Sequence, residues 1–385
     1  MIFLDAAATT PVRREVIEAM FPYLTGDFGN PSSHHELGER AALAIGRARS
    51  DIAELLDCRP GEVVFTSGGT EADNLAVKGI ALARRAARAS RNRVLISALE
   101  HPAVQESAEY LARMHGFQLE TIPVDRSGLI DGDIFSSMLD DDVALASVMY
   151  ANNEIGTVQP IAELAALAAQ HGVPLHSDAV QASGWLALKL PALGVHALSI
   201  SGHKFGAPKG VGALILRSRT LAEPVIHGGG QQSGLRSGTE NVAFAVALAK
   251  ALQLAEQERE AAFERVSRLR DDFIDSVLSR VPQAVLTGAR GAQRLPSIAS
   301  FCFPGTHGES VLLELERQSI ICSSGSACAA GSSEPSAVLL AIGLSAEVAQ
   351  SAVRFSLPSA VSAEELAQAA DAVVAAVRNL GRLGR

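Results

Sequence analysis

The stretch Ser199-Ile200-Ser201-Gly202-His203-Lys204-Phe205-Gly206-Ala207-Pro208-Lys209-Gly210 sets a lysine at the end of an apolar run and just ahead of a glycine–proline turn. A lysine there is costly unless its amine has an ionic or covalent partner, because the charged head is otherwise solvated. The run that delivers it, residues 197–201, is short and β-rich. Residues 63–65, 93–98, 119–124, 143–150 and 173–178 before it, and 212–216 after it, read the same way. Helical periodicity fills residues 71–87, 103–115 and 161–171, each long enough to cross over between parallel strands. Short strands alternating with such helices predict an α/β fold: a doubly wound, largely parallel sheet of seven strands flanked by helices.

Near Asn241 the pattern changes to a long stretch of alanine, leucine and interspersed charge that ends before Pro282, and this reads as one long connecting helix. Beyond it, strands at 297–303, 319–323 and 352–357 alternate with helices at 309–317, 335–342 and 362–380. The expected division is a large α/β domain over residues 15–255 and a small α+β domain built from residues 1–14 and 256–385.

Composition limits the function classes. The chain has 385 residues, 48% hydrophobic and 19% charged, with a formal net charge of -9. That is a globular composition without the basic excess of a nucleic-acid binder. The Arg84, Arg85, Arg88, Arg91 and Arg93 group reads as a solvated helix end. Asp5 interrupts the start and no signal peptide or membrane span is evident, so the expected location is the cytoplasm, with no membrane partner. Cys58, Cys302, Cys322 and Cys328 lack zinc spacing and are too few for a disulfide scaffold, and no metal site is expected.

Thr66-Ser67-Gly68-Gly69-Thr70-Glu71 lies between a strand and a helix, where free N–H groups suit a phosphate. Alone, it reads first as a plain helix cap, since it lacks the lysine of a Walker loop. Asp178 and Lys204 end the next strands, and in an open α/β sheet ligands sit beyond the carboxyl ends of the strands. A lysine, a buried acid and a phosphate cradle together suit pyridoxal phosphate, which needs an amine for its aldehyde and an acid for its ring nitrogen.

Six motifs make the reading specific: Ser201-Gly202-His203-Lys204 with Pro208-Lys209-Gly210, Phe28-Gly29-Asn30-Pro31-Ser32-Ser33, Thr66 through Asn74, Asn152-Asn153-Glu154-Ile155-Gly156, Arg236-Ser237-Gly238-Thr239, and Ser323-Ser324-Gly325-Ser326-Ala327-Cys328. In this order they resemble the cysteine desulfurase family of the nitrogen-fixation and iron–sulfur-cluster type, whose members are fold type I pyridoxal-phosphate enzymes. The resemblance runs from Leu4 to the last helix.

The resemblance implies that Lys204 is the Schiff-base residue, that Asp178 pairs with the ring nitrogen, that Gln181 serves the ring hydroxyl, and that His101 stacks on the ring and moves protons. Gly69, Thr70, Ser201 and His203 then hold the phosphate. Thr239 reaches it from the second subunit of a homodimer. Arg354, with Asn153 and Asn30 nearby, takes the substrate carboxylate, a group that suits a planar two-pronged donor. Cys328, in a small-residue loop of the small domain, takes the sulfur of L-cysteine as a persulfide, leaves L-alanine, and passes the sulfur to an acceptor such as an iron–sulfur scaffold protein. Selenocysteine lyase, a desulfurase for tRNA or DNA thiolation, and a non-catalytic protein that keeps the cofactor are the alternatives.

Overall fold

The computed structural model describes residues 1–324 and 334–383. Its strands, in chain order, are β1 (Ile2–Phe3), β2 (Val63–Thr66), β3 (Arg93–Ser97), β4 (Gln118–Ile122), β5 (Val143–Ser147), β6 (Leu175–Asp178), β7 (Ala197–Ser201), β8 (Gly212–Leu216), β9 (Val285–Leu286), β10 (Ile298–Cys302), β11 (Ile320–Ile321) and β12 (Ala352–Ser356). Seven of them form the large sheet in the order β2-β8-β7-β6-β5-β3-β4. Neighbours from β4 through β7 pair in parallel, while β8 runs antiparallel to both β7 and β2. The exception has a simple cause. Only residues 202–211 join β7 to β8, too few for a crossover, so the chain must turn straight back. Helices cover both faces, and β5, β7 and β8 are buried at every position, which is why they read as continuous apolar runs.

A three-stranded antiparallel sheet, β12-β10-β9, and the parallel pair β1-β11 make up the remainder of the β-structure. Phe273, Phe301 and Phe355 meet edge-to-face beneath the three-stranded sheet, with ring centroids 5.1–6.2 Å apart. The helix Val242–Arg280 links the two regions as one element of 39 residues, started by Asn241, whose Oδ1 accepts from Phe244 N–H at 3.1 Å. Leu248 and Leu252 pack into the core of the large sheet, whereas Val266, Phe273 and Val277 pack with Ile2, Leu4 and the small sheet.

Several local expectations need correction. The stretch 71–87 is helical but opens into a wide turn over Leu75–Gly79, between helices Gly69–Asn74 and Ile80–Ala87. The chain crosses closely there: a side chain at Gly79 would bring a carbon within 2.6 Å of the Glu223 carbonyl oxygen. The stretch 335–342 shortens to Ala337–Ala341, followed by a separate turn at Ala346–Ala349. The 21-residue helix Glu36–Leu56 goes unnoticed in the sequence reading, although Ala41, Ala44, Ile45, Ala48, Ile52 and Leu56 follow helical spacing and are all buried. The arginine group is no solvated helix end either. Arg93 binds Glu120, Asp140 and Asp142, and Arg85 lies over the Phe117 ring at 4.0 Å. Among the described residues, no helix is long and apolar enough to cross a membrane.

Candidate active site

The carboxyl ends of β2, β3, β5, β6 and β7 all open on one side of the large sheet, around a cavity of about 530 Å3. Lys204, Asp178, Gln181, His101, Asn153, Gly69, Thr70, Ser201, His203 and Arg354 all line it, brought from positions almost three hundred residues apart. Asn30 and Thr239 do not line this cavity in the single chain. Both are exposed, and Asn30 Oδ1 instead accepts from Ser32 N–H at 2.9 Å. Cys328 lies outside the described residues.

Lys204 leaves β7 through a single 3-10 turn, and its Nζ donates to the carbonyl oxygens of Ala7 and Ala8 at 2.5 and 3.0 Å. The Ala7 oxygen also accepts from Gln181 Nε2 at 2.9 Å. The N-terminal segment therefore holds both side chains in place. Asp178 closes β6 and accepts from Val180 N–H at 2.8 Å. Burial pushes its carboxyl above the ordinary range, and His101, the Val180 N–H and Lys204 offset part of that rise. His101 caps the helix Pro102–His115, its Nδ1 accepting from Ala103 N–H at 3.1 Å. His203 pairs with Thr9 Oγ1 at 3.2 Å, and burial, then the charges of Lys204 and Lys209, push it down to about 4, so it is neutral at pH 7.

The candidate phosphate cradle is kept open by subtraction. A side-chain carbon at Gly69 would lie 2.7 Å from Val180 Cγ2 and 3.3 Å from Ser201 Cβ, so only glycine keeps this corner open. Glu71 fixes the loop across from it. Its carboxylate accepts from Ser67 N–H at 2.7 Å and from Arg236 Nε at 2.8 Å, which ties the segment bearing Thr239 to the cradle. Arg354, on β12, is buried. One guanidinium nitrogen donates to Asp5 Oδ1 at 2.7 Å and another to the Asn153 carbonyl at 3.0 Å.

A polar layer below the cavity escapes the sequence reading. His176 bridges Ser147 Oγ at 2.8 Å and Ser199 Oγ at 3.0 Å, and burial lowers it to about 3, so it is neutral. Asp73 and Glu100 are buried beside Asp178, and each keeps one carboxylate oxygen without a hydrogen-bond partner. Glu100 Oε1 accepts from Met149 N–H at 2.7 Å. Burial, then the charge of Asp178, raises Glu100 from 4.5 to about 8.

Below pH 4.5 Glu100 is neutral in both folded and unfolded chains. Between 4.5 and about 8 the unfolded chain releases the proton first, so this residue costs stability increasingly as pH rises, and the cost is complete above about 8. Glutamine keeps the acceptor oxygen and does not titrate. The Glu100→Gln protein should therefore gain melting temperature over the native one as pH goes from about 5 to about 8. A gap that stays constant over that range would show that Glu100 ionises normally.

The donor set fits pyridoxal phosphate on structural grounds. A buried carboxylate demands a positive partner, an open glycine corner at a helix start suits a phosphate, and an inward lysine amine stands between them.

The class-V aminotransferase model matches residues 2–368. Over 359 residues the chain is 46% identical to the "IscS-like cysteine desulfurase" of Mycobacterium tuberculosis, covering 93% of this chain and 91% of that one. It is 44% identical over 365 residues to "Cysteine desulfurase IscS" of Dictyoglomus turgidum, covering 95% and 91%. A solved NifS-like protein superimposes with a TM-score of 0.89 at 33% identity, covering 97% and 98% of the two chains. The cavity, its inward lysine and these likenesses agree: this chain belongs to the class-V aminotransferase family, in its pyridoxal-phosphate-dependent cysteine desulfurase branch.

Proposed function

We propose that this chain removes sulfur from free L-cysteine, releases L-alanine, and carries the sulfur on Cys328 to an acceptor protein for iron–sulfur cluster assembly or another thiolation. The observation that carries this reading is the gathering of Lys204, Asp178, His101 and Arg354 around one cavity at the strand ends.

Lys204 would hold the cofactor by its aldehyde, Asp178 would serve its ring nitrogen, Gln181 its ring hydroxyl and His101 its ring, and Gly69, Thr70, Ser201 and His203 would hold its phosphate. When bound, pyridoxal phosphate supplies a sink for the electron pair left when the substrate's Cα–H bond breaks. Arg354 and Asn153 grip the substrate carboxylate, and the Asp5 contact sets the guanidinium plane before substrate arrives. Lys204 Nζ, oriented by the Ala7 and Ala8 carbonyls, takes the proton from Cα. Cys328 Sγ, as thiolate, forms a bond to the substrate sulfur while the substrate's C–S bond breaks. The balance is cysteine plus a protein thiol giving alanine plus a protein persulfide. Thr239 is exposed and outside its own cavity, which suits service to the phosphate of a second copy in a homodimer.

Incubation of the holoenzyme with L-cysteine and no reductant should add one sulfur atom to the peptide that carries Cys328, with alanine formed in equal amount, as read by peptide mass spectrometry and amino-acid analysis. Alanine without any sulfur gain on that peptide would remove Cys328 from the reaction.

A further inference from the structure

The large sheet has a second opening at the end opposite Lys204. It lies where β8 ends and where β2, β6 and β7 begin, and encloses about 840 Å3. Arg59, Arg84, Arg91, Arg217 and Arg219 line it together with His196. Against these five arginines stand two carboxylates, Asp57 and Glu62, an excess of three positive charges in a chain whose net charge is -9.

The charge is only partly answered within the protein: Arg84 donates to the Gly172 carbonyl at 2.8 Å, and Arg59 and Glu62 attract one another. Arg88 and Arg93, from the same stretch of sequence, are both paired with acids, Arg88 with Asp141 at 3.2 Å. None of the five pocket arginines makes a salt bridge among the described residues. Glu62 is already engaged, accepting from Arg59 N–H at 2.8 Å and Ser218 N–H at 2.7 Å. Arg84 Nε, Arg91 Nε and Thr220 Oγ1 are shielded from solvent without a hydrogen-bond partner. Repulsion is visible too: burial and then Arg91 lower the Arg84 guanidinium, and burial, Arg217 and Arg84 lower His196. Holding like charges together around a concavity is unfavourable unless an anion joins them. Guanidinium groups are suited to phosphate oxygens, which they bind two at a time. Pro174, Leu190, Pro191 and Leu221 form an apolar wall on which an organic group can rest. Cys58 adds no redox chemistry, since burial and the charges of Glu62 and Asp57 push its thiol up to about 11.

We propose that this opening is a binding site for a small organic polyphosphate, separate from the cofactor cavity, with the phosphates on the five arginines and the organic part against the proline–leucine wall. The inference does not depend on the desulfurase reading.

The probes are pyrophosphate and magnesium-free ATP, titrated calorimetrically into cofactor-loaded protein so that the cofactor's own phosphate site is filled. Both should bind saturably with one site per chain. Affinity should fall at least tenfold when salt rises from about 0.05 to about 0.3 M. It should also fall at least tenfold in the Arg91→Gln, Arg217→Gln double variant, which should melt as the native protein does and retain its rate of alanine formation. Each probe should raise the native protein's melting temperature, a readout that needs no variant. Saturation by neither probe, by pyrophosphate alone, or only by a long RNA overturns the proposal. Unchanged affinity in a folded double variant does the same.

Discussion

Replacing Lys204 by alanine should leave a folded protein that cannot keep its cofactor through gel filtration and forms alanine at least about 10^4-fold more slowly than the native enzyme. The fold survives because the lysine is not a packing element. It leaves β7 through a turn fixed by backbone bonds, Phe205 N–H to the Gly202 carbonyl at 3.1 Å and Ala207 N–H to the same oxygen at 3.0 Å. The Ala7 carbonyl keeps its bond from Gln181. The melting temperature of the cofactor-free form should therefore stay close to that of the native protein stripped of cofactor. On the proposed function, activity does not survive, because one amine would perform two tasks, anchoring the aldehyde and moving the Cα proton, and among the described residues no second lysine is placed to replace it. Lys209, which also lines the cavity, is exposed. Visible absorbance measured after desalting separates the tasks: if absorbance persists with activity lost, Lys204 moves protons without anchoring, and if both persist the assignment fails.

The sheet was legible because most of its strands are buried on both faces and read as short runs such as Ala197–Ser201, the edge strand β4 being the exception. The gathering of Gly69, Asp178 and Lys204 at one cavity was legible only from their joint occurrence at strand ends, since each alone is a common turn or cap residue. What stayed hidden depends on contacts distant in sequence. Nothing local marks the Ala7 and Ala8 carbonyls as partners of a lysine about two hundred residues away. Asp73 and Glu100 look like ordinary helical or turn acids until the fold buries them beside Asp178. The arginine group misled for the same reason. Its helical spacing suggests solvent, yet Arg84 and Arg91 are half-buried and line a common opening with Thr220.

The structure disfavours three of the four cysteine sulfurs as nucleophiles. Sulfur transfer needs a thiolate, and the fraction ionised falls tenfold for each unit by which a thiol's pKa exceeds the pH. Burial pushes Cys302 up to about 12. Cys322 is also pushed up to about 12, by burial and then by Asp5, with Arg354 only partly opposing. At neutral pH both are thiolates in fewer than about one molecule in ten thousand. Cys58 stands at about 11 and lines the opposite end of the sheet. Cys322 is the serious competitor, since it follows β11 and feels the Asp5 and Arg354 charges at the edge of the cavity. The expected result is therefore a contrast between two single variants. Cys328→Ala should keep the visible absorbance of bound cofactor and the native melting temperature, while alanine formation from L-cysteine with a reductant present falls at least about 10^3-fold. Cys322→Ala should retain alanine formation within about threefold, because a thiol held protonated contributes nothing as a nucleophile. The reverse pattern would move the nucleophile to Cys322 and would require that substrate binding expose and ionise it.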